Sequence, residues 1–193
     1  MSAQHADVAN YHLQYAFDLS QSRFFTKDEN NYANLLGAEQ LPVIGKTSMI
    51  DVFLSAGNVV EPHYHWNSTE IIYCISGEII ASMINPVTKQ LTNIRIQPQQ
   101  VVVIPQGWWH YFAAAVDHTH VLTIYDAPMP ETAWGSDILR LTPPQVFSYS
   151  YCLNKEQLQH VLAPIQETVI IGPPADCYGS GYYAANASAQ QYY

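Results

Sequence analysis

Between Thr47 and Tyr125 apolar and polar residues alternate with a period of two, in short runs rich in Val, Ile, Tyr and Phe. Gly, Pro or Asn breaks these runs about every 8 to 12 residues, the spacing of strands joined by turns. Successive side chains on a strand point to opposite faces, so such alternation predicts strands buried on one side. The pattern predicts strands at Met49–Leu54, Val59–His65, Ile71–Ser76, Glu78–Ile84, Leu91–Ile96, Val101–Ile104, Trp109–Ala113 and Val121–Tyr125. Asn85-Pro86-Val87-Thr88-Lys89-Gln90 has the turn chemistry to close a hairpin between two of them. No stretch long enough for a crossover helix separates these strands. The expectation is therefore an all-β antiparallel jelly-roll sandwich or small barrel.

The flanks read differently. Residues 1–40 are polar with scattered aromatics, Tyr11, Tyr15, Phe17, Phe24 and Phe25, and are expected to form an N-terminal arm packing on the core. Thr142-Pro143 and Asn154-Lys155-Glu156-Gln157 carry helix-start signals, predicting two short helices before Pro164. Leu158, Val161 and Leu162 would be the buried stripe of the second. Residues 166–193 run into a Tyr-, Gly- and Ala-biased stretch without periodicity, expected to be a flexible tail. The expected division is an arm at 1–40, a barrel with C-terminal helices at 41–165, and this tail.

Composition narrows the function. A chain of 193 residues has room for one sizeable domain. Its 48% hydrophobic and 12% charged residues suit a globular fold whose polarity comes from uncharged side chains. Seven Lys plus Arg against 16 Asp plus Glu gives 7 − 16 = −9, too few cations for the phosphate contacts that dominate nucleic-acid affinity. No apolar run is long enough to span a membrane, and the start lacks the basic and apolar regions of a leader, so a cytoplasmic protein without membrane attachment is expected. Cys74, Cys152 and Cys177 are odd in number and lack C-x-x-C spacing, predicting free thiols, with Cys74 in the core. Eight His in so cation-poor a chain stand out.

Two of them, His63 and His65, lie two apart on a predicted strand and so share a face. After a short turn Glu70 opens the next strand, where an antiparallel hairpin can return its carboxylate to the pair. Pro105-Gln106-Gly107 precedes a strand beginning near His110, which could add a third imidazole from across the barrel. Three imidazoles and a carboxylate make a donor set of intermediate hardness. It suits Mn2+ first, then Fe2+, and would also hold Ni2+ or Zn2+; octahedral coordination would leave two positions open. His118 and His120 repeat the H-x-H spacing without a following carboxylate and are not expected to bind metal. His5, His12 and His160 are expected on the surface.

These segments resemble the cupin superfamily, whose two motifs are G-x5-H-x-H-x3,4-E-x6-G and G-x5-P-x-G-x2-H-x3-N. Gly57, His63, His65, Glu70 and Gly77 match the first, and Pro105, Gly107 and His110 the second, with Gln99 and Ala114 in place of its leading Gly and final Asn. Thr69-Glu70-Ile71 and Gly77-Glu78, with the strand ending at Asp126 and the helical pair after it, are most similar to the oxalate decarboxylase and germin-like branch, as a monocupin. That resemblance implies a cupin jelly roll, His63, His65, Glu70 and His110 as metal ligands, manganese, and cleavage of a small carboxylate with dioxygen. The branch places an Arg three residues before the first ligand; here it is Val60. The branch also carries an acidic proton donor on a loop, for which Glu131 is the candidate. Aromatics around the ligands (Tyr64, Trp66, Trp108, Trp109, Tyr111 and Phe112) together with Val60 suggest a substrate larger and less charged than oxalate. Alternatives are a dioxygenase acting on an aromatic or diketone-like substrate, and a non-enzymatic storage, spore or structural cupin. A small-molecule substrate and a homo-oligomer, its N-terminal arm covering a neighbour's sheet edge, complete the expectation.

Overall fold

In the computed structural model, which describes residues 14–174 and Cys177, the strands form two antiparallel sheets packed face to face. Strands β1 (Arg23–Thr26), β2 (Tyr32–Leu36), β3 (Ser48–Leu54), β10 (Thr119–Tyr125), β5 (Glu70–Ser76) and β8 (Val101–Ile104) lie in that order in the first. The second runs β11 (Thr132–Trp134), β4 (Val59–His65), β9 (His110–Ala114), β6 (Ile79–Ile84) and β7 (Leu91–Ile96), and β12 (Ile171–Gly172) also pairs with β4. Inward positions of both sheets close one core around Leu54, Ile72, Ile79, Ile104, Phe112 and Val121, each at most 2% exposed. The period-two pattern carries this directly: β10 alternates buried and half-buried at every position.

Each predicted strand is present, and β4, β7 and β8 have the predicted bounds. The 85–90 turn forms, with Asn85 Oδ1 accepting from the Val87 and Thr88 amides at 2.9 and 3.1 Å. Cys74 is fully buried, and none of Cys74, Cys152 and Cys177 is in a disulfide among the described residues. At Gly77, between β5 and β6, φ is +74° and a Cβ would lie 2.4 Å from Thr119 Oγ1. Only glycine fits there. Gln99, where the motif has Gly, takes the same left-handed backbone at φ +72°.

Three expectations change. Residues 23–36, read as an arm, add β1 and β2 to this chain's own β3, burying Ala33, Leu35 and Leu36; the edge they cover is their own. The segment opening the expected tail returns to the barrel, with Ile171 against Val60 and 2% exposed; the rest of that tail, and the His5 and His12 expectations, lie outside the described residues. The α-helices number three among the described residues: α1 (Gly135–Leu141), α2 (Pro144–Tyr151) and α3 (Lys155–Leu162). Asn154 caps α3 through the Gln157 amide as its spacing predicts, but the expected stripe is not buried: Leu158 and Leu162 are half-buried and Val161 is 69% exposed. Two helices of this length pack on each other rather than deeply on the barrel. No helix of the described residues is long and apolar enough to cross a membrane.

Candidate metal centre

Strand β4 brings His63 and His65 to the inner face, 2% and 4% exposed. In the antiparallel register His63 stands opposite His110 of β9, and the Gly107 amide donates to the His65 carbonyl at 2.9 Å, tying the second motif to the first. Glu70, at the start of β5 in the opposite sheet, faces them across the barrel and is 1% exposed. The potential ligand atoms of His63, His65, Glu70 and His110 lie within 4.8 Å of one another.

Each imidazole is oriented through its Nδ1. Those of His63 and His110 donate to the Glu61 and Trp108 carbonyls at 2.6 and 2.8 Å, and that of His65 hydrogen-bonds the Thr132 hydroxyl at 3.0 Å. Such outer partners fix the tautomer, as around metal-ligating histidines generally. Tyr125 donates to Glu70 Oε1 at 2.9 Å and accepts from Thr123. Glu70 Oε2 lies 2.7 Å from His110 Nε2 and 3.5 Å from His65 Nε2. The latter is buried and has no hydrogen-bond partner.

These contacts fit a cation. A neutral imidazole has one N–H, yet both nitrogens of His110 face acceptors while His65 Nε2 has none. With an ion among the four residues, every Nδ1 bond would be kept and the Nε2 lone pairs would meet the ion beside Glu70 Oε2. Charge states agree. Burial, reinforced by His110 and His65, holds His63 well below the usual imidazole range. Burial opposes the Glu70 charge, but the hydrogen bond from His110 and the nearby His65 imidazole override it and hold Glu70 well below the usual carboxylate range. Burial and the Glu70 charge push Tyr125 well above the usual phenol range, keeping it a donor.

Beside His63, His65 and Glu70 is a cavity of about 60 Å3. Its walls are mainly apolar, including Val52, Val60, Phe112, Ile170 and Ile171, and no Lys or Arg among the described residues lines it. Val60 therefore stands at the cavity where the expected branch has a cation. Arg95 lies elsewhere, paired with Glu78.

The family model described as Cupin matches residues 18–158. The chain belongs to the cupin family. This cupin is 24% identical over 120 residues to a cruciferin of Raphanus sativus, covering 61% of this chain and 25% of the relative. To the 12S seed storage protein CRC of Arabidopsis thaliana it is 25% identical, with 61% and 23% covered. It thus spans about a quarter of the length of these relatives. Among solved structures it resembles the coconut allergen cocosin, with TM-score 0.72, 21% identity, and 83% of this chain and 44% of that one covered. It resembles oxalate decarboxylase of Bacillus subtilis at TM-score 0.72 and 20% identity, with 84% and 43% covered. At these identities the structural likeness shows the jelly-roll fold.

Several expected pocket residues sit elsewhere in this cupin. Of the six aromatics around the ligands, only Phe112 lines the cavity; alternation turns Trp109 and Tyr111 away, and Trp66 is 49% exposed. Phe24, Tyr125 and Trp134 take their place. Glu131 is exposed and accepts from the Trp66 indole, while Pro130 and Thr132 beside it line the cavity. The cavity does not extend to its carboxylate. His120 stacks on Phe53 at 4.1 Å and pairs with Asp51, away from the four residues, and His160 is exposed, as expected. The sequence reading missed Glu61, Thr123, Tyr125 and Thr132. A signal for two of them was present: Thr123 and Tyr125 are polar at inward positions of β10.

Proposed function

We propose that this cupin holds one divalent cation through His63, His65, Glu70 and His110 and acts on a small oxygenated substrate beside it, as an enzyme resembling oxalate decarboxylase. The observation that carries this is the convergence of four buried, individually oriented donors, three of which, His63, His65 and Glu70, line a cavity, with His65 Nε2 unpartnered. Burying three imidazoles and a carboxylate costs stability that apolar side chains would not. A fold needing only a packed interior has no use for that cost.

Mn2+ is the leading metal, then Fe2+, with Ni2+ and Zn2+ also suited to the donors. When bound, such an ion supplies a Lewis acid that polarises an oxygen of the ligand. The chain's residues do the rest. The Glu61 and Trp108 carbonyls and the Thr132 hydroxyl hold the imidazoles, and Tyr125 holds Glu70. Val60 and Phe112 give the cavity part of its apolar wall. With no cation in the wall, a dianion such as oxalate would lack charge-assisted hydrogen bonds. The substrate class favoured is therefore a neutral or singly charged molecule of a few heavy atoms; the apolar wall retains the larger size expected from sequence only if the cavity expands.

The dioxygenase alternative rests on the same apolar wall. The non-enzymatic storage alternative rests on the likeness to seed storage proteins. Glu131 as proton donor is the least supported role, and Glu131→Gln tests it: a change in turnover below threefold removes it. Self-association, a homo-oligomer, is also proposed. The enzyme reading is tested by oxygen uptake and carbon dioxide release from Mn- and Fe-loaded protein with small acids, hydroxy compounds and diketones. Turnover that disappears in His65→Ala supports it, whereas metal-loaded protein silent across the panel supports the storage alternative.

A further inference from the structure

Glu61 ties the segment after the helices to the candidate site. Glu61 lies in β4 between the cavity residue Val60 and Pro62, two positions before His63, and is 7% exposed. Its Oε2 accepts from the Ser136 amide at 2.8 Å, and its Oε1 from the Ser136 hydroxyl at 2.7 Å and the Ile170 amide at 3.1 Å. Its own amide donates to the Ile170 carbonyl at 2.9 Å, and its carbonyl receives His63 Nδ1. One buried residue thus holds both backbone groups of Ile170 and orients a candidate metal ligand.

Ile170 is not placed by its own preferences. Its φ is +58°, in the left-handed region, where a β-branched residue is an outlier that persists only when surroundings over-determine it. Here Glu61 does so, aided by Ser136, whose hydroxyl accepts from the Val169 amide at 3.1 Å, and by Asp137, which accepts from Thr168 at 2.8 Å. The consequence is that the Ile170 and Ile171 side chains form part of the cavity wall.

We infer that Glu61 is a positioning residue that clamps residues 168–172 as one wall of the cavity, and that Ile170 and Ile171 set the size of ligand admitted. This rests on reading the cavity as a ligand site. At about 60 Å3 the clamped cavity is well below the roughly 150 Å3 of an apolar cavity that accepts benzene. A carboxylate surrounded by N–H and O–H donors suits the clamp better than an amide, which would point an N–H2 group at one of them.

The test uses the full chain free of metal, with xenon and benzene as probes followed by NMR, and with amide hydrogen exchange. Wild-type protein is expected to bind xenon and to exclude benzene. Ile171→Ala should gain at least tenfold in benzene affinity, and Ile171→Val a smaller gain in the same direction. Glu61→Gln should speed exchange at 169–172 at least tenfold, with Ser136→Ala intermediate and Glu61→Asp partly restoring protection. Unchanged benzene exclusion in both Ile171 variants, or unchanged exchange in Glu61→Gln and Ser136→Ala, overturns the inference. Mn2+ titration of wild-type protein reads the metal-site proposal separately: no uptake together with a benzene gain removes that proposal and leaves the wall, and uptake without either change does the reverse.

Discussion

Glu70 and Tyr125 show how much of the site one contact governs. Replacing Tyr125 with Phe removes the donor to Glu70 Oε1 and leaves that oxygen buried. Loss of such an outer partner costs roughly 10–100-fold in metal affinity, so Tyr125→Phe is expected to weaken Mn2+ binding by that factor in a calorimetric titration, with the fold retained. Acid should act in two windows. His63 is depressed in the folded chain, so the unfolded chain takes up the proton more readily, and stability of metal-free protein is retained above about pH 6.5 and falls as pH drops below it. Glu70 is also depressed, and its contribution, present above about pH 4.5, is lost as pH falls further toward its folded value. Urea unfolding between pH 8 and 4, pH values chosen to span about these two limits, should show the first loss in wild type and less of it in His63→Gln. At this scale the ligands were legible because H-x-H on a strand fixes a shared face. The orienting partners were not: Thr132 reaches His65 through a strand pairing remote in sequence, and Glu61 holds His63 through a backbone carbonyl that any residue type would supply.

At the scale of elements, Gly77 makes the tightest demand. An Ala there meets both the left-handed backbone and the Thr119 backbone, whose Cα would be 2.6 Å from the new Cβ. Gly77→Ala should therefore destabilise the protein by about 2 kcal/mol or more, read by chemical denaturation, whereas Gly45→Ala, with open space around it, should cost less despite its φ of +71°. The strands from β3 to β10 were legible because Val, Ile and aromatic runs are bounded by turn residues and because β8 and β10 alternate cleanly, each burying one face. Strand β11 has three residues, all half-buried, and β12 has two, so neither has a period to read. They exist because β4 offers an edge: Thr132–Trp134 pair with His63–His65, and Ile171–Gly172 with Val59–Val60. Strands β1 and β2 were obscured by polar, turn-rich surroundings, Asp28, Asn30 and Asn31, which form the tight connection between them.

For the whole molecule, the net charge of −9 and the helices bear on assembly. Helices α2 and α3 contain no buried residue, and Tyr149, Tyr151 and Val161 are 93%, 68% and 69% exposed. If these helices carry self-association, Tyr149→Asp with Val161→Asp should lower the sedimenting mass of the full chain without lowering its unfolding midpoint; an unchanged mass assigns the contact elsewhere. Sequence pattern conveyed the all-β class and the two motifs, but sheet order depends on non-local pairing, as where β10 sits between β3 and β5. The central claim is the buried metal site, and it is tested most directly by metal analysis and Mn2+ titration of the purified full chain near neutral pH. The account predicts one ion per chain, with affinity reduced at least about 100-fold in His65→Ala and Glu70→Gln, at or beyond the upper end of outer-partner losses. Absence of stoichiometric binding in wild type, or equal binding in the two variants, would contradict it.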